Sequence, residues 1–169
     1  MSESAGEALL GLDCRPIFTV WQQHCDHGDL FIVQAEGGDL TSTSLATGAD
    51  YLQRVLPQSA GFVLMYDLSA GMNGFIQHGA SLLEFVLRIR VACPGKQRAV
   101  IIASSNETQR AWVRWFVNTI QRDAIPVFVV ATVEEAWAIL DAPDLNVVTA
   151  SGMDGGDSLQ GWEELLPLL

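Results

Sequence analysis

His24, Cys25 and His27 fall in one short stretch, and neutral imidazole and thiolate are donors that zinc prefers. A structural zinc site closes on four ligands, and the next donor along the chain is Cys14. An intervening strand of about seven residues at roughly 3.3 Å each would hold Cys14 about 20 Å from the turn. The stretch is therefore read as a polar hairpin turn, with no metal expected. His78 and Asp67 are further groups able to move a proton, but no nucleophile elbow accompanies them. Gly71-Met72-Asn73-Gly74 is neither a phosphate loop nor a dinucleotide fingerprint. The sequence predicts no enzyme and no cofactor.

Cationic chemistry rests on arginine. Lys96 is the lone lysine among nine bases, and guanidinium groups bind carboxylate or phosphate in bidentate fashion. Glu84 with Arg88, and Glu107 with Arg110, are spaced to pair on helix surfaces instead.

The elements that must position these groups follow from patterning. Residues 1–14 read as a loose leader, 15–140 as one α/β domain, and 141–169 as an acidic linker followed by an apolar segment. Pro16 to Trp21 and Leu30 to Ala35 are β-branched, aromatic and apolar around a turn, which predicts a β-hairpin. Apolar residues at 45, 49, 52, 55 and 56 predict a helix over about 43–56, and those at 75, 82, 83, 86 and 89 predict another over 75–91. Phe62 to Tyr66, Ala99 to Ala103 and Pro126 to Val130 are continuous apolar runs of strand length. Trp112, Val113, Phe116, Val117 and Ile120 form one helical face. Thr132 and Glu135 have the spacing of a capping box ahead of a last helix. Buried strands without alternation, separated by helices, predict a mostly parallel sheet with the hairpin as its antiparallel edge.

Ligands of parallel α/β sheets favour the carboxyl ends of the strands, where helix N-termini also point their amides. That rim holds Asp67, Ser69, His78, Ser104, Ser105, Asn106 and Thr132, which are the candidate partner-binding or ligand-binding residues. Each of these types also makes a helix cap or turn.

The chain of 169 residues, 49% apolar, suits one core. Its net charge of −11 repels phosphate backbones and anionic lipid surfaces, so nucleic acid is not an expected partner. No apolar run approaches the roughly 18 residues of a membrane span. Three cysteines without a basic leader predict a reducing, cytoplasmic setting. The apolar residues from Trp162 to Leu169 are expected to pack on the domain or on a second copy, the state being monomer or homodimer.

Leu64-Met65-Tyr66-Asp67-Leu68-Ser69, followed by a glycine-bearing helix start, resembles the signature of STAS domains, which share the SpoIIAA-like fold. Val127-Phe128-Val129 and the following Glu134-Glu135-Ala136-Trp137-Ala138-Ile139-Leu140 are similar to that family's closing strand and last helix. Ala99 to Phe116 also resembles the lipid-carrying CRAL-TRIO branch. The resemblance implies a non-enzymatic regulatory module that binds a protein partner, or alternatively a carrier of a small apolar, lipid-like ligand beneath the second helix. Switch-type members carry a phosphate-accepting hydroxyl before the helix glycine. Here Ile76-Gln77-His78-Gly79 has none, and Ser81 is expected one turn too deep to replace it.

Overall fold

The computed structural model describes residues 7–10, 16–74, 76–120, 125–143 and 145. Within them the order is β1 (Glu7–Leu10), β2 (Pro16–Cys25), β3 (Gly28–Ala35), α1 (Ser42–Val55), β4 (Phe62–Asp67), α2 (Gly79–Ala92), β5 (Gln97–Ala103), α3 (Glu107–Ile120), β6 (Val127–Val130) and α4 (Val133–Leu140). A 3-10 turn, Leu56–Gln58, follows α1 where Pro57 ends the helical pattern.

The strands lie in chain order across one sheet of six. β1 pairs with β2 and β2 with β3 antiparallel, whereas the β3–β4, β4–β5 and β5–β6 ladders are parallel. The α/β class holds, but the sheet is mixed and not mostly parallel. Glu7–Leu10, expected within a loose leader, adds the second antiparallel ladder, so β1 and not the hairpin forms that edge. The remainder of the leader and nearly all of the expected linker and apolar C-terminal segment lie outside the described residues.

Side chains of the sheet divide by alternation between two cores. Phe31, Val33, Phe62 and Leu64 pack with Leu45, Ala49 and Leu52 of α1 and Phe85 and Ile89 of α2. On the opposite face Leu30, Val63, Met65, Ala99, Ile101 and Phe128 pack with Ala136 and Leu140 of α4. β5 was expected to be buried on both sides. Instead Ala99, Ile101 and Ala103 are sealed beneath α4's face while Val100 and Ile102 stay half-buried on the other.

α1 starts at a full capping box, with the Thr41 hydroxyl accepting from the Ser44 amide at 3.0 Å and Ser44 Oγ accepting from the Thr41 amide at 3.0 Å. α2 starts at Gly79, four residues later than its apolar periodicity predicts. The segment before it is tied instead to the loop ahead of α1, through Leu40 N–H to the Asn73 carbonyl at 2.9 Å and Asn73 N–H to the Gly38 carbonyl at 2.9 Å. Gly74 ends that pairing at φ 89° with an approach to Leu40 that leaves 3.1 Å for any Cβ. The helix can begin only beyond it. α4 is capped by Thr132, whose hydroxyl accepts from Glu135 N–H at 3.2 Å. The return bond of the expected box is displaced by one residue, since Glu135 Oε2 accepts from the amide of Ala131 at 2.8 Å.

The expected surface pairs are also rerouted. Arg88 donates to Asp50 and to Gln53 at 2.5 Å, which clamps α2 to α1, and Arg110 donates to the Ser104 carbonyl at 2.8 Å. Where α1 and α2 meet, Gly48 is buried in the helix and an added Cβ would sit 3.6 Å from Phe85, an ordinary contact. Gly48→Ala is expected to raise the unfolding free energy by about 0.5–1 kcal/mol, because alanine restricts the unfolded chain and favours helix. Urea denaturation measures it, and the same change extends a methyl toward the space between the helices and the sheet.

Candidate functional site

α1, α2 and α3 all cover the same face of the sheet, yet they do not seal it. A cavity of about 130 Å³ lies between them and strands β2 to β6. Its wall includes Leu64, Phe85, Val100, Ile102, Trp112 and Phe116. This space is the reason Val100 and Ile102 are only half-buried while the β5 residues on the other face are sealed. Native interiors pack like organic crystals, with few voids larger than a water molecule. An apolar cavity of this order, about 150 Å³, accepts a ligand the size of benzene.

Polar side chains in this wall are few: Tyr66, Trp112, Arg90 and Gln97. Tyr66 projects from β4 between Val33 and Ile102 in register, and its ring meets Phe85 edge-on at 6.3 Å. Burial pushes its hydroxyl well above the ordinary phenol range, so it stays a neutral donor. That hydroxyl makes no hydrogen bond to the described residues and, since no buried side-chain polar atom among them is left unpaired, it is not sealed from solvent. Arg90 and Gln97 lie at the last turn of α2 and the start of β5, the amino end of the parallel strands.

The rim at the carboxyl end is built differently. Asp67, largely buried, accepts from the amide of Ser69 at 3.0 Å and from its hydroxyl, a closed turn. Ser104 is buried and donates to Gln109, whose amide nitrogen reaches the Met72 carbonyl at 3.1 Å. Asn106 caps α3 by accepting from Gln109 N–H at 3.0 Å, and Thr132 caps α4. Ser105 is exposed beside them. The rim thus gathers Asp67, Ser69, Ser104, Ser105, Asn106 and Thr132 at adjacent strand ends; all but Ser105 serve as caps or turn formers, and only Asp67 and Ser104 are buried. His78 stands apart from these at the start of α2, its Nδ1 3.4 Å from Ser42 Oγ.

Gln109 joins α3, β5 and the loop that precedes α2 in one buried network. Gln109→Leu is expected to cost about 2 kcal/mol, since it strands the Ser104 hydroxyl and the Met72 carbonyl in the interior. Chemical denaturation of the variant reads this directly, and a change below about 0.5 kcal/mol would show that water replaces the amide.

Ser81 is not one turn too deep. With α2 starting at Gly79 it occupies the third helical position, and its hydroxyl lies 2.9 Å from that of Ser42 at the start of α1. The late helix start is what moves it into the first turn.

At the hairpin, His27 Nε2 lies 3.1 Å and 3.0 Å from the carbonyls of Leu140 and Ala142, tying the turn to the end of α4. His24 Nδ1 is 3.3 Å from Asp29. The two imidazoles are thus engaged with different elements, and Cys14 lies outside the described residues. Burial raises the thiol pKa of Cys25, and that of Cys93 too, where Lys96 opposes the shift.

Sequence reasoning placed the site at the rim and missed Tyr66, Arg90 and Gln97. Tyr66 sits inside a buried-strand pattern and carries no signal of its own. Arg90 does: Leu82, Val86 and Arg90 recur at helical spacing, so a charge ends an inward-facing apolar stripe.

The chain matches no family model, no curated protein and no solved structure.

Proposed function

We propose that this protein binds a small apolar ligand in the cavity between the sheet and α1 to α3. The observation that carries the reading is the cavity itself, about 130 Å³ of space walled mostly by aliphatic and aromatic side chains. The Tyr66 hydroxyl adds a hydrogen-bond donor that a ligand oxygen would satisfy. The rim residues, by contrast, spend much of their hydrogen-bonding capacity on their own helix starts. The space lies under α2, where the CRAL-TRIO resemblance places its ligand.

The second reading is a STAS-like regulatory module that binds a protein partner. It is supported by Leu87 and Val91, four residues apart on one face of α2 and exposed at 47% and 80%. Both readings are non-enzymatic, and ligand binding separates them. Native mass spectrometry of purified protein, followed by titration with 1-octanol monitored by tryptophan fluorescence, tests the first: Trp112 lines the cavity and reports on occupancy. Saturable binding, lost in Val100→Phe while the fold is retained, is the expected outcome. Binding unaffected by filling the cavity, or no binding at all, would leave the α2 surface as the better site.

A further inference from the structure

Arg90 is the one charged residue in the wall of the cavity among the described residues. Three neighbouring cations are engaged. Arg88 is held by Asp50 and Gln53, Lys96 donates to the Pro57 carbonyl at 2.6 Å, and Arg54 donates to the Asp50 carbonyl at 3.2 Å. Arg90 has neither an ion pair nor a hydrogen bond among the described residues, and the side-chain amide of Gln97, which also lines the cavity, has none either. Arg90 is half-buried, on the stripe that Leu82, Val86 and Ile89 direct at the cavity.

We infer that the ligand is an amphiphile with a carboxylate head, its head held by Arg90 and Gln97 at the amino end of the parallel strands and its tail in the cavity. This inference rests on the apolar-ligand reading and narrows it to a chemical class. The guanidinium presents a planar fork that matches a carboxylate in bidentate fashion, and Gln97 supplies a further N–H donor. A cation at the last turn of α2 is favoured there by the helix dipole, so the anchor is stable before ligand arrives. The net charge of −11 opposes an approaching anion, but at physiological salt that field decays within about 8 Å, while head and anchor meet at contact distance. Cavity size limits the tail. With about 150 Å³ accommodating benzene, a space of this order takes about six carbons and leaves the carbons next to the head at the mouth.

The test compares octanoate, 1-octanol and octyl phosphate by calorimetry in 0.15 M salt, on the full chain and on Arg90→Gln. Octanoate is expected to bind at least about tenfold tighter than 1-octanol, as a charge-assisted pair would provide. Arg90→Gln should erase that advantage, bringing the ratio of the octanoate and 1-octanol affinities to about one. Binding of 1-octanol with no preference for octanoate overturns this inference and leaves the apolar-ligand reading standing. Binding of neither overturns both. A clear preference for octyl phosphate over octanoate overturns the carboxylate assignment. Should Arg90→Gln fail to fold, the three ligands on the unaltered chain decide, because the head-group ranking needs no variant.

Discussion

Phe62→Ala is expected to lower the unfolding free energy by about 3–5 kcal/mol, measured as a fall in urea midpoint with little change in slope. Phe62 opens β4 and is completely buried. Its ring meets Phe31 of β3 at 90° with centroids 6.0 Å apart, so the change removes an aromatic contact as well as apolar area. The neighbours that would have to collapse into the space, Leu56 and Phe31, are themselves anchored by backbone ladders and a proline-bearing turn. Partial relaxation is therefore expected, which puts the cost toward the upper part of the range. Phe62→Leu, which restores most of the volume, should recover more than half of the loss. Equal losses in the two variants would mean that the aromatic geometry, and not the cavity, dominates.

Gly28→Ala is expected to cost about 3 kcal/mol or more, from two effects that add at one position. Gly28 has φ 113°, which an L side chain rarely adopts, and a Cβ there would stand 2.4 Å from the carbonyl oxygen of Gly61. That carbonyl accepts the amide of Asp29 at 3.0 Å, close to where β3 first meets β4 in the parallel ladder. Backbone cannot yield as a flexible side chain can, so the substitution must open the ladder. Gly38→Ala is the control. It has φ 94° but nothing within 4 Å of the added carbon, and should lose only about 1–2 kcal/mol of conformational strain. Similar losses at both positions would show that the backbone approach at Gly61 relaxes freely.

The α/β class, the hairpin and the strands β4, β5 and β6 were legible because apolar runs bounded by turn residues encode them locally. So was the cap of the last helix at Thr132. Periodicity misplaced α2. Phe75 continues the apolar pattern, yet the bonds of Asn73 to Gly38 and Leu40 tie the segment ahead of it to a distant loop, and no local signal announces that pairing. The same displacement brought Ser81 into the first helical turn.

The edge of the sheet was misread for a related reason: Glu7–Leu10 sits in a stretch whose composition suggests a loose leader, and only its ladder with β2 makes it a strand. The site divided in the same way. By itself the sequence determined which residue types cap helices and close turns, and hence a rim of Asp67, Ser69, Ser104, Asn106 and Thr132, because those preferences act over three or four residues. The tertiary structure decided that Asp67 and Ser104 of this rim are buried while Ser69, Asn106 and Thr132 stay exposed, and that Tyr66, Arg90 and Gln97 share one apolar cavity. A cavity is the space left where three helices meet a sheet, and it depends on distances between elements far apart in the chain that no local pattern contains.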